Sequence, residues 1–195
     1  MHPYSIDTEE RKNVLLILAI ASSILSWSFY KIFNEYKIAL PWWVESPSIL
    51  FLYGIFFEVF DKWVWKFFEK IKFIRTPNLN GKWEGYLKSS FDAHSSEMKA
   101  DLKIFQTWTK IEIILTTEQS TSYSETASLV INKPEGKYLS YQYVNKPKSA
   151  AVKTMSIHQG TTRLLFNETE STLSGEYYSG RDRQNLGSLS FKKGK

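Results

Sequence analysis

The chain has 195 residues, a net charge of +5 and no cysteine. Its histidines stand far apart, at His2, His94 and His158, so the sequence contains no zinc site of standard ligand spacing. The glycine loops of nucleotide-binding enzymes and the common nucleophile and zinc-protease motifs are also absent. We therefore predict no catalytic residue, no metal and no cofactor.

The first predicted element is an apolar stretch, Val14–Phe33, with no charged residue between Val14 and Tyr30. Spanning the hydrocarbon core of a bilayer takes about 20 apolar residues, and this stretch supplies them. A cleaved signal peptide would need small residues where this chain has Trp27, Phe29 and Tyr30. We therefore predict a retained transmembrane helix.

Small residues cluster on one face of this predicted helix, at three- and four-residue spacing. Small side chains let transmembrane helices approach closely, and serine hydroxyls can bond across the contact. The face packs either on a second helix of the same chain or on another copy, and we predict that it contributes to a homo-oligomer. Its residues are Ala19, Ser22, Ser23 and Ser26.

The second apolar stretch, Ile49–Phe68, is interrupted by charged residues from Glu58 onward. A helix that began at Pro47 would place Glu58 about 16 Å along its axis, near the middle of the bilayer. A helix that began near Pro41 would place it close to the far interface. Glu58 therefore either belongs to an amphipathic stalk or is an intramembrane carboxylate that takes part in helix association or lines a pore.

Basic residues cluster before the first stretch and after the second, whereas the connecting loop has Lys37 alone, with Lys31 at its border. The positive-inside rule then places both termini in the cytoplasm, so we predict a multi-pass membrane protein. The lack of cysteine fits a reducing compartment. The clustered residues, which would also attract anionic lipid headgroups, are Arg11, Lys12, Lys62, Lys66, Lys70, Lys72 and Arg75.

The segment Thr76-Pro77-Asn78 ends the helical part of the chain. We predict an N-terminal cytoplasmic segment (1–13), a two-helix transmembrane hairpin (14–68), a stalk or linker (69–77) and a cytoplasmic β-domain (78–195). The β-domain shows period-two alternation with turn signals at short intervals. The predicted strands are Lys82–Phe91, Glu97–Phe105, Trp108–Thr117, Ser122–Ile131, Lys137–Val144, Lys153–His158, Arg163–Phe166, Leu173–Tyr178 and Leu186–Lys192.

Eight or nine short antiparallel strands joined by tight turns most simply form an all-β up-and-down barrel, with a two-sheet sandwich as the alternative. A barrel of this size encloses either packed side chains or one small ligand. Ser122, Ser124, Thr126 and Ser128 share one face of their strand. That face either points inward and makes the interior polar, or forms an ordinary solvated surface.

Several short motifs stand in this layout. They are Asn80–Gly85, Gln106-Thr107-Trp108, Ser122-Tyr123-Ser124, Tyr141-Gln142-Tyr143 with Pro147, His158–Thr161, and Leu173–Tyr178 with Arg181 and Gly187 after it. Together with the two apolar stretches ahead of them, they resemble the membrane effectors of bacterial cyclic-oligonucleotide antiphage signalling (CBASS). These are the two-transmembrane, β-strand-rich effectors associated with CD-NTases.

The resemblance implies a receptor that is also an effector. A cyclic di- or oligonucleotide would bind the cytoplasmic barrel, drive association of protomers and so disrupt the inner membrane, which stops growth of the infected cell. The sequence has no motif that reads a DNA or RNA duplex. The predicted partners are therefore a cyclic nucleotide, membrane lipids and other copies of the chain.

For such a ligand, aromatic rings would stack on bases, arginines would bind phosphates and short polar groups would contact base edges. The predicted site consists of the aromatic residues Trp108, Tyr141, Tyr143 and Tyr178, the cations Arg163 and Arg181, and the polar residues Gln106, Thr107, Ser122 and Ser124.

Two other classes remain open. One is a membrane-tethered, lipocalin-like barrel that binds a lipid or small metabolite and does not kill. The other is an assembly protein whose barrel binds another protein through an exposed aromatic patch. An enzyme is the class least favoured by the sequence.

Overall fold

A computed structural model describes residues 1–37, 41–152, 155–180 and 184–194, and only the main chain for 42–48. The chain divides into two units. One is helical and comprises Thr8–Arg75; the other consists of Met1–Asp7 together with Thr76–Lys195 and contains the β-strands. The helical unit is therefore an insertion in the sequence of the β unit.

The helical unit begins with α1 (Glu10–Glu35), a helix of 26 residues that packs against α2 (Trp42–Val59). At 1.5 Å per residue α1 is about 39 Å long, enough to cross a bilayer. Its mean hydropathy reaches 1.7, and among the described residues it is the one helix that is both long and apolar enough to do so. Its large apolar side chains are exposed to the surroundings, at Leu16, Ile17, Ile20, Ile24 and Trp27.

The small residues of α1 are not equivalent. Ser22 is fully buried and its hydroxyl donates to the carbonyl of Leu18, whereas Ser23 is exposed and donates to the carbonyl of Ala19. Ala19 and Ser26 are half-buried. One serine of this face, Ser22, is therefore buried inside the protomer, whereas its neighbour Ser23 is exposed.

The second helix follows Pro41, whose main chain is extended, so it begins earlier than a start at Pro47 would give. Glu58 then lies 16 residues after Trp42, about 24 Å along the axis and near the end of the helix. It is half-exposed and forms an ion pair with Lys62 one turn later. This is the arrangement expected for a start near Pro41.

After α2 the chain makes one π-helical turn (Phe60–Val64) and a short helix α3 (Trp65–Lys70). Lys72 then adopts a left-handed conformation, with φ of 60°. The amide of Phe73 donates to the carbonyl of Phe68 (2.9 Å), that of Lys72 donates to Glu69 (2.9 Å), and the rings of Phe68 and Phe73 lie 5.4 Å apart. These are the contacts of a Schellman motif, which ends the helix at a defined place.

The described residues of the β unit form nine strands, as predicted in number: β1 (His2–Ile6), β2 (Gly81–Ser89), β3 (Met98–Gln106), β4 (Lys110–Thr117), β5 (Ser120–Lys133), β6 (Gly136–Pro147), β7 (His158–Asn167), β8 (Thr172–Ser179) and β9 (Leu186–Lys193). From β2 to β9 each strand pairs antiparallel with the next, and β9 pairs with β2. The sheet therefore closes into a barrel, which removes its edges.

The strand β1 was not predicted, because residues 1–13 read as a separate segment. It fills a gap in the barrel wall, since β4 and β5 pair only between Ile114–Thr116 and Thr121–Tyr123 and then diverge. There β1 lies antiparallel to β4 and parallel to β5. Asp7 fixes its end, because its carboxylate accepts hydrogen bonds from the amides of Ile131 (2.8 Å) and Asn132 (3.1 Å).

One predicted strand, Lys153–His158, is wrong. Residues 155–157 are not in a strand, and residues 153 and 154 lie outside the described residues. The strand β7 begins at His158 and also includes the predicted Arg163–Phe166. The total agrees with the prediction because β1 takes the place of this segment.

Large apolar side chains fill one half of the barrel and close that end. Trp83 and Trp108 are fully buried there, and the indole of Trp83 donates to the carbonyl of Leu79 (3.0 Å). The rest of the core is built from inward residues of all nine strands, among them Leu102, Ile104, Ile113, Leu129, Leu139, Leu164, Leu173, Leu189 and Phe191. The other half of the barrel carries smaller and more polar side chains.

A bulge between Ser124 and Thr126 settles which way the serine-rich face of β5 points. Before the bulge, Ser120 and Ser122 are buried, whereas after it Thr126 is exposed and Leu129 is buried. An extra residue in a strand exchanges its two faces. The predicted single face of four hydroxyl side chains therefore changes from inward to outward partway along the strand.

Candidate functional site

The polar half of the barrel holds a cavity of about 290 Å³ that opens at the end opposite the two tryptophans. Every strand except β1 contributes to it or ends beside it. Side chains of mixed character surround the space, which is typical of a ligand site. The lining residues are Leu87, Ser89, Phe91, Asp92, Ser96, Met98, Leu115, Thr117, Gln119, Ser120, Ser122, Tyr143, Asn145, Met155, His158, Thr162, Tyr177, Ser179 and Asn185.

Thr162 supplies an unpaired hydroxyl to this cavity. Its side chain is 1% exposed, and its Oγ1 atom reaches no hydrogen-bond partner. The cross-strand partner of Thr162 on β6 is Tyr141, whose buried hydroxyl is also without a partner. Burial raises the pKa of Tyr141 to about 12, and the neighbouring side chain of Thr162 opposes that rise.

Asn145 has a fixed orientation at the cavity wall. Its carbonyl oxygen accepts a hydrogen bond from the hydroxyl of Ser122 (2.8 Å) across the β5–β6 pair. Its amide nitrogen donates to the sulfur of Met155 (3.2 Å), which is a weak acceptor. A better acceptor inside the cavity would therefore compete well for this amide.

Tyr143 and Tyr177 lie against the barrel wall because each is paired with a glycine on the next strand. Tyr143 is opposite Gly160 and Tyr177 is opposite Gly187. A Cβ atom at Gly160 would come within 2.3 Å of the Tyr143 hydroxyl, and one at Gly187 within 2.4 Å of the Tyr177 ring. Any larger residue in place of either glycine would thus clash with the ring that lies against it.

The charge of the cavity comes from few groups. Among the described lining residues, Asp92 and His158 are the ionisable ones apart from tyrosine. The Ser96 hydroxyl donates to the Asp92 carboxylate and holds its pKa below the usual range, so Asp92 is ionised at neutral pH. Burial raises the pKa of Tyr143, and the neighbouring Tyr141 and Tyr177 raise it further, so this phenol stays neutral.

One described cation at the rim is Lys148. Its ammonium group donates to the carbonyl of Thr117 (2.6 Å), a lining residue, while the rest of the side chain is exposed. The amide of Lys148 also donates to the carbonyl of Gln119 (2.8 Å), which holds this loop at the mouth of the cavity.

Two of the predicted ligand-binding residues, Ser122 and Tyr143, line the cavity. Tyr141 lies next to Tyr143, with ring centroids 6.3 Å apart, and belongs to the core. Ser124 instead accepts from the amide of Ile113 and contacts His2, at the place where β1 enters the wall.

Three predicted residues lie at the closed end, away from this cavity. The side chain of Gln106 is buried and bonds to the main chain of Pro77 and Leu79. Thr107 accepts from the amide of Lys110 in a tight turn, and Trp108 is fully buried. They close the barrel and do not face the open end.

Two further predicted residues, Arg163 and Tyr178, lie on the outside of the barrel. Arg163 is exposed, and its guanidinium lies 4.3 Å from the ring centroid of Tyr138. Tyr178 is 47% exposed and donates to the carboxylate of Glu176 (2.5 Å). Arg181 lies outside the described residues.

The sequence does carry a signal for the residues that the prediction missed. Inward positions alternate along each strand, so the buried leucines of the closed half fix the phase of the open half. On β7, Leu164 predicts Thr162, and on β8, Leu173 predicts Tyr177 in place of Tyr178. On β6 the predicted face of Tyr141 and Tyr143 continues to Asn145.

Comparison with known proteins gives two family matches. Residues 74–193 match the family described as Cap15, cyclic dinucleotide receptor domain, and residues 12–66 match the one described as Cap15, TM helices. A CD-NTase-associated protein 15 from Yersinia aleksiciae is 32% identical over 194 residues, covering 92% of this chain and 90% of that protein. Another, from Staphylococcus schleiferi, is 30% identical over 153 residues, covering 77% and 80%.

Proposed function

Because this chain belongs to the Cap15 family of CBASS effectors, which join a cyclic dinucleotide receptor domain to transmembrane helices, we propose that the cavity of its barrel is the receptor site. The cavity lies entirely within the residues matched as the receptor domain. That overlap is the observation that carries the proposal. The family matches confirm the resemblance seen in the sequence, whereas the position of the ligand is our inference.

The construction of the barrel supports this position. The opposite end is closed by Trp83 and Trp108, so a ligand can enter the interior only from the open end. Two tyrosine rings and several short polar side chains face the cavity, and these are the groups that stack on bases and bond to their edges. A receptor role uses no catalytic group, and we propose none.

The proposal is tested by titrating the full-length chain in detergent with a panel of cyclic dinucleotides. Tyr177→Ala removes a ring from the cavity, and base–aromatic stacking of about 1–3 kcal/mol predicts a weakening of about 5- to 150-fold. Tyr178→Ala is the matched control, since its ring is on the outer face. Equal effects of the two substitutions, or binding of lipid in place of any cyclic dinucleotide, would contradict the proposal.

The connectivity of the barrel supports a two-helix membrane hairpin. Residues 2–6 and 81–193 belong to one sheet, so both must lie on the same side of any membrane. The chain between them then crosses the bilayer an even number of times. Since α1 is long and apolar enough to cross, α2 is the element available to return. The basic residues flanking both helices favour the cytoplasmic side for the barrel.

For the output we propose that ligand binding brings protomers together through their helices and so disrupts the membrane. The apolar side chains of α1 are exposed along most of its length, and Ser23 lies among them as a small residue. Helices in lipid associate by close packing at small residues and not by the hydrophobic effect. Dye release from liposomes that contain the full chain is the measurement, and we expect it to increase when a cyclic dinucleotide is added.

A further inference from the structure

We propose that one base of the cyclic dinucleotide enters the barrel, where Thr162 and Asn145 read its edge, while the phosphates stay at the mouth beside Lys148. This inference rests on the proposed function and divides its site into two parts. The inner part would select the base, and the outer part would supply affinity for any ligand with the same charge.

The charge of the cavity argues that the phosphates remain outside. No lysine or arginine is among its described lining residues, and the ionised carboxylate of Asp92 stands at its rim. Burying a phosphate without a cation costs several kcal/mol, and a neighbouring carboxylate increases that cost. A neutral heterocycle carries no such penalty. The described lining therefore suits a neutral base better than the charged phosphodiester ring.

The polar atoms of the cavity argue that a base edge is read there. The Thr162 hydroxyl is almost fully buried and has no hydrogen-bond partner. A group left in this state costs roughly 1–3 kcal/mol, which a ligand can recover by pairing with it. The Asn145 amide, oriented by Ser122 and bonded only to the sulfur of Met155, offers a directed donor on the next strand. A ring nitrogen or carbonyl of a base is the matching acceptor.

The two glycines argue that the space is kept open for a planar group. Gly160 and Gly187 let Tyr143 and Tyr177 lie back against the wall, and Thr162 stands in register beside Tyr177. Ring faces and an unpaired hydroxyl thus line the same space. A flat heterocycle can stack on the rings with its face and pair with the hydroxyl through its edge.

The mouth supplies the contact for phosphate. The ammonium group of Lys148 donates one of its three N–H groups to the carbonyl of Thr117 at the rim, and the rest of the side chain is exposed to solvent. A lysine in this position binds phosphate as a point charge, without regard to the base attached. Its contribution weakens with salt because it is screened by water and ions.

The inference is tested on the full-length chain in detergent by measuring Kd for cyclic di-adenylate, cyclic di-guanylate and cyclic di-uridylate. Thr162→Val removes the hydroxyl at constant shape and should change the ratio of the three affinities by about tenfold, since each edge contact contributes about 1–3 kcal/mol. Thr161→Val, on the outer face, should leave the ratio unchanged. Thr162→Ser keeps the hydroxyl and should preserve the ratio even if packing suffers.

Lys148→Gln should instead weaken all three ligands by the same factor and flatten the salt dependence of binding. A Thr162→Val chain that binds all three ligands in the original ratio overturns the inference, as does a change of base preference in Lys148→Gln. Either result leaves the proposed receptor site standing. Failure of the unmodified chain to bind any of the three refutes the proposed function and this inference with it.

Discussion

Tyr4 links the first strand to the closed end of the barrel, and replacing it should open the wall. Its ring is 3% exposed, its hydroxyl donates to the carbonyl of Trp108 (2.8 Å), and it accepts from the amide of Gln106 (3.3 Å). Truncating a buried aromatic residue to alanine costs about 3–5 kcal/mol. Tyr4→Phe keeps the ring but removes the hydrogen bond to the buried carbonyl of Trp108, which costs about 1–3 kcal/mol.

Hydrogen exchange of the full-length chain in detergent measures these losses locally. The amides of Ala127–Leu129 report directly, because they lie in the stretch of β5 that pairs with β1. Tyr4→Ala should lower their protection by between about a hundredfold and a few thousandfold, and Tyr4→Phe by roughly ten- to a hundredfold. Tyr86→Ala makes the same truncation at a side chain that is 54% exposed and should have little effect. Equal protection in Tyr4→Ala and Tyr86→Ala would refute the role given to β1.

Three further predictions concern other parts of the molecule. Lys72→Gly should stabilise the end of α3 by about 0.5–1 kcal/mol, because glycine adopts the left-handed conformation without strain. Slower hydrogen exchange of the Phe73 amide would show this stabilisation, and unchanged exchange would contradict it. The free energy of unfolding of the unmodified chain should fall by up to about 3 kcal/mol between pH 10 and 12, and Tyr141→Phe should abolish this fall. The sign follows because the folded state holds the phenol proton up to about pH 12 whereas the unfolded chain releases it near pH 10, and denaturation curves of both chains across this range are the check. Ser23→Leu should reduce ligand-driven dye release without changing ligand affinity, whereas Ser28→Leu, outside the small-residue cluster, should not; full release from Ser23→Leu would contradict close packing at that residue.

The antiparallel strands were predictable because each obeys a local rule. Alternation and turn residues recur at short intervals, so β2 to β6, β8 and β9 match predicted strands to within a few residues. β1 carries no such signal. It is five residues long, contains a proline, and is held by contacts with residues more than a hundred positions away, such as Tyr4 with Trp108. Pairing at that distance leaves no periodic pattern in the sequence.

The predicted site residues differ from the residues of the cavity because the prediction weighed chemical type before strand phase. Trp108 and Gln106 have side chains suited to a base, but Gln106 ends β3 and Trp108 lies in the turn that follows, both at the closed end. Tyr178 and Tyr177 are chemically alike and differ only in phase, and the structure places Tyr177 at the cavity. Thr162 has an ordinary side chain whose importance comes from being buried and unpaired. The sequence alone does not show that state.

The place of β1 in the barrel also determines the order in which the protein can be completed. This strand leaves the ribosome before the other strands of the barrel, and its partner on β5 begins at Ala127, about 120 residues later. At about 5–20 residues per second the chain needs roughly 6 to 24 s to make that partner. Both helices are synthesised within this interval, while the barrel still lacks its closing contact. The receptor domain is therefore completed only after both helices have already emerged, and a chain cut short before β5 would carry the helices without a closed barrel.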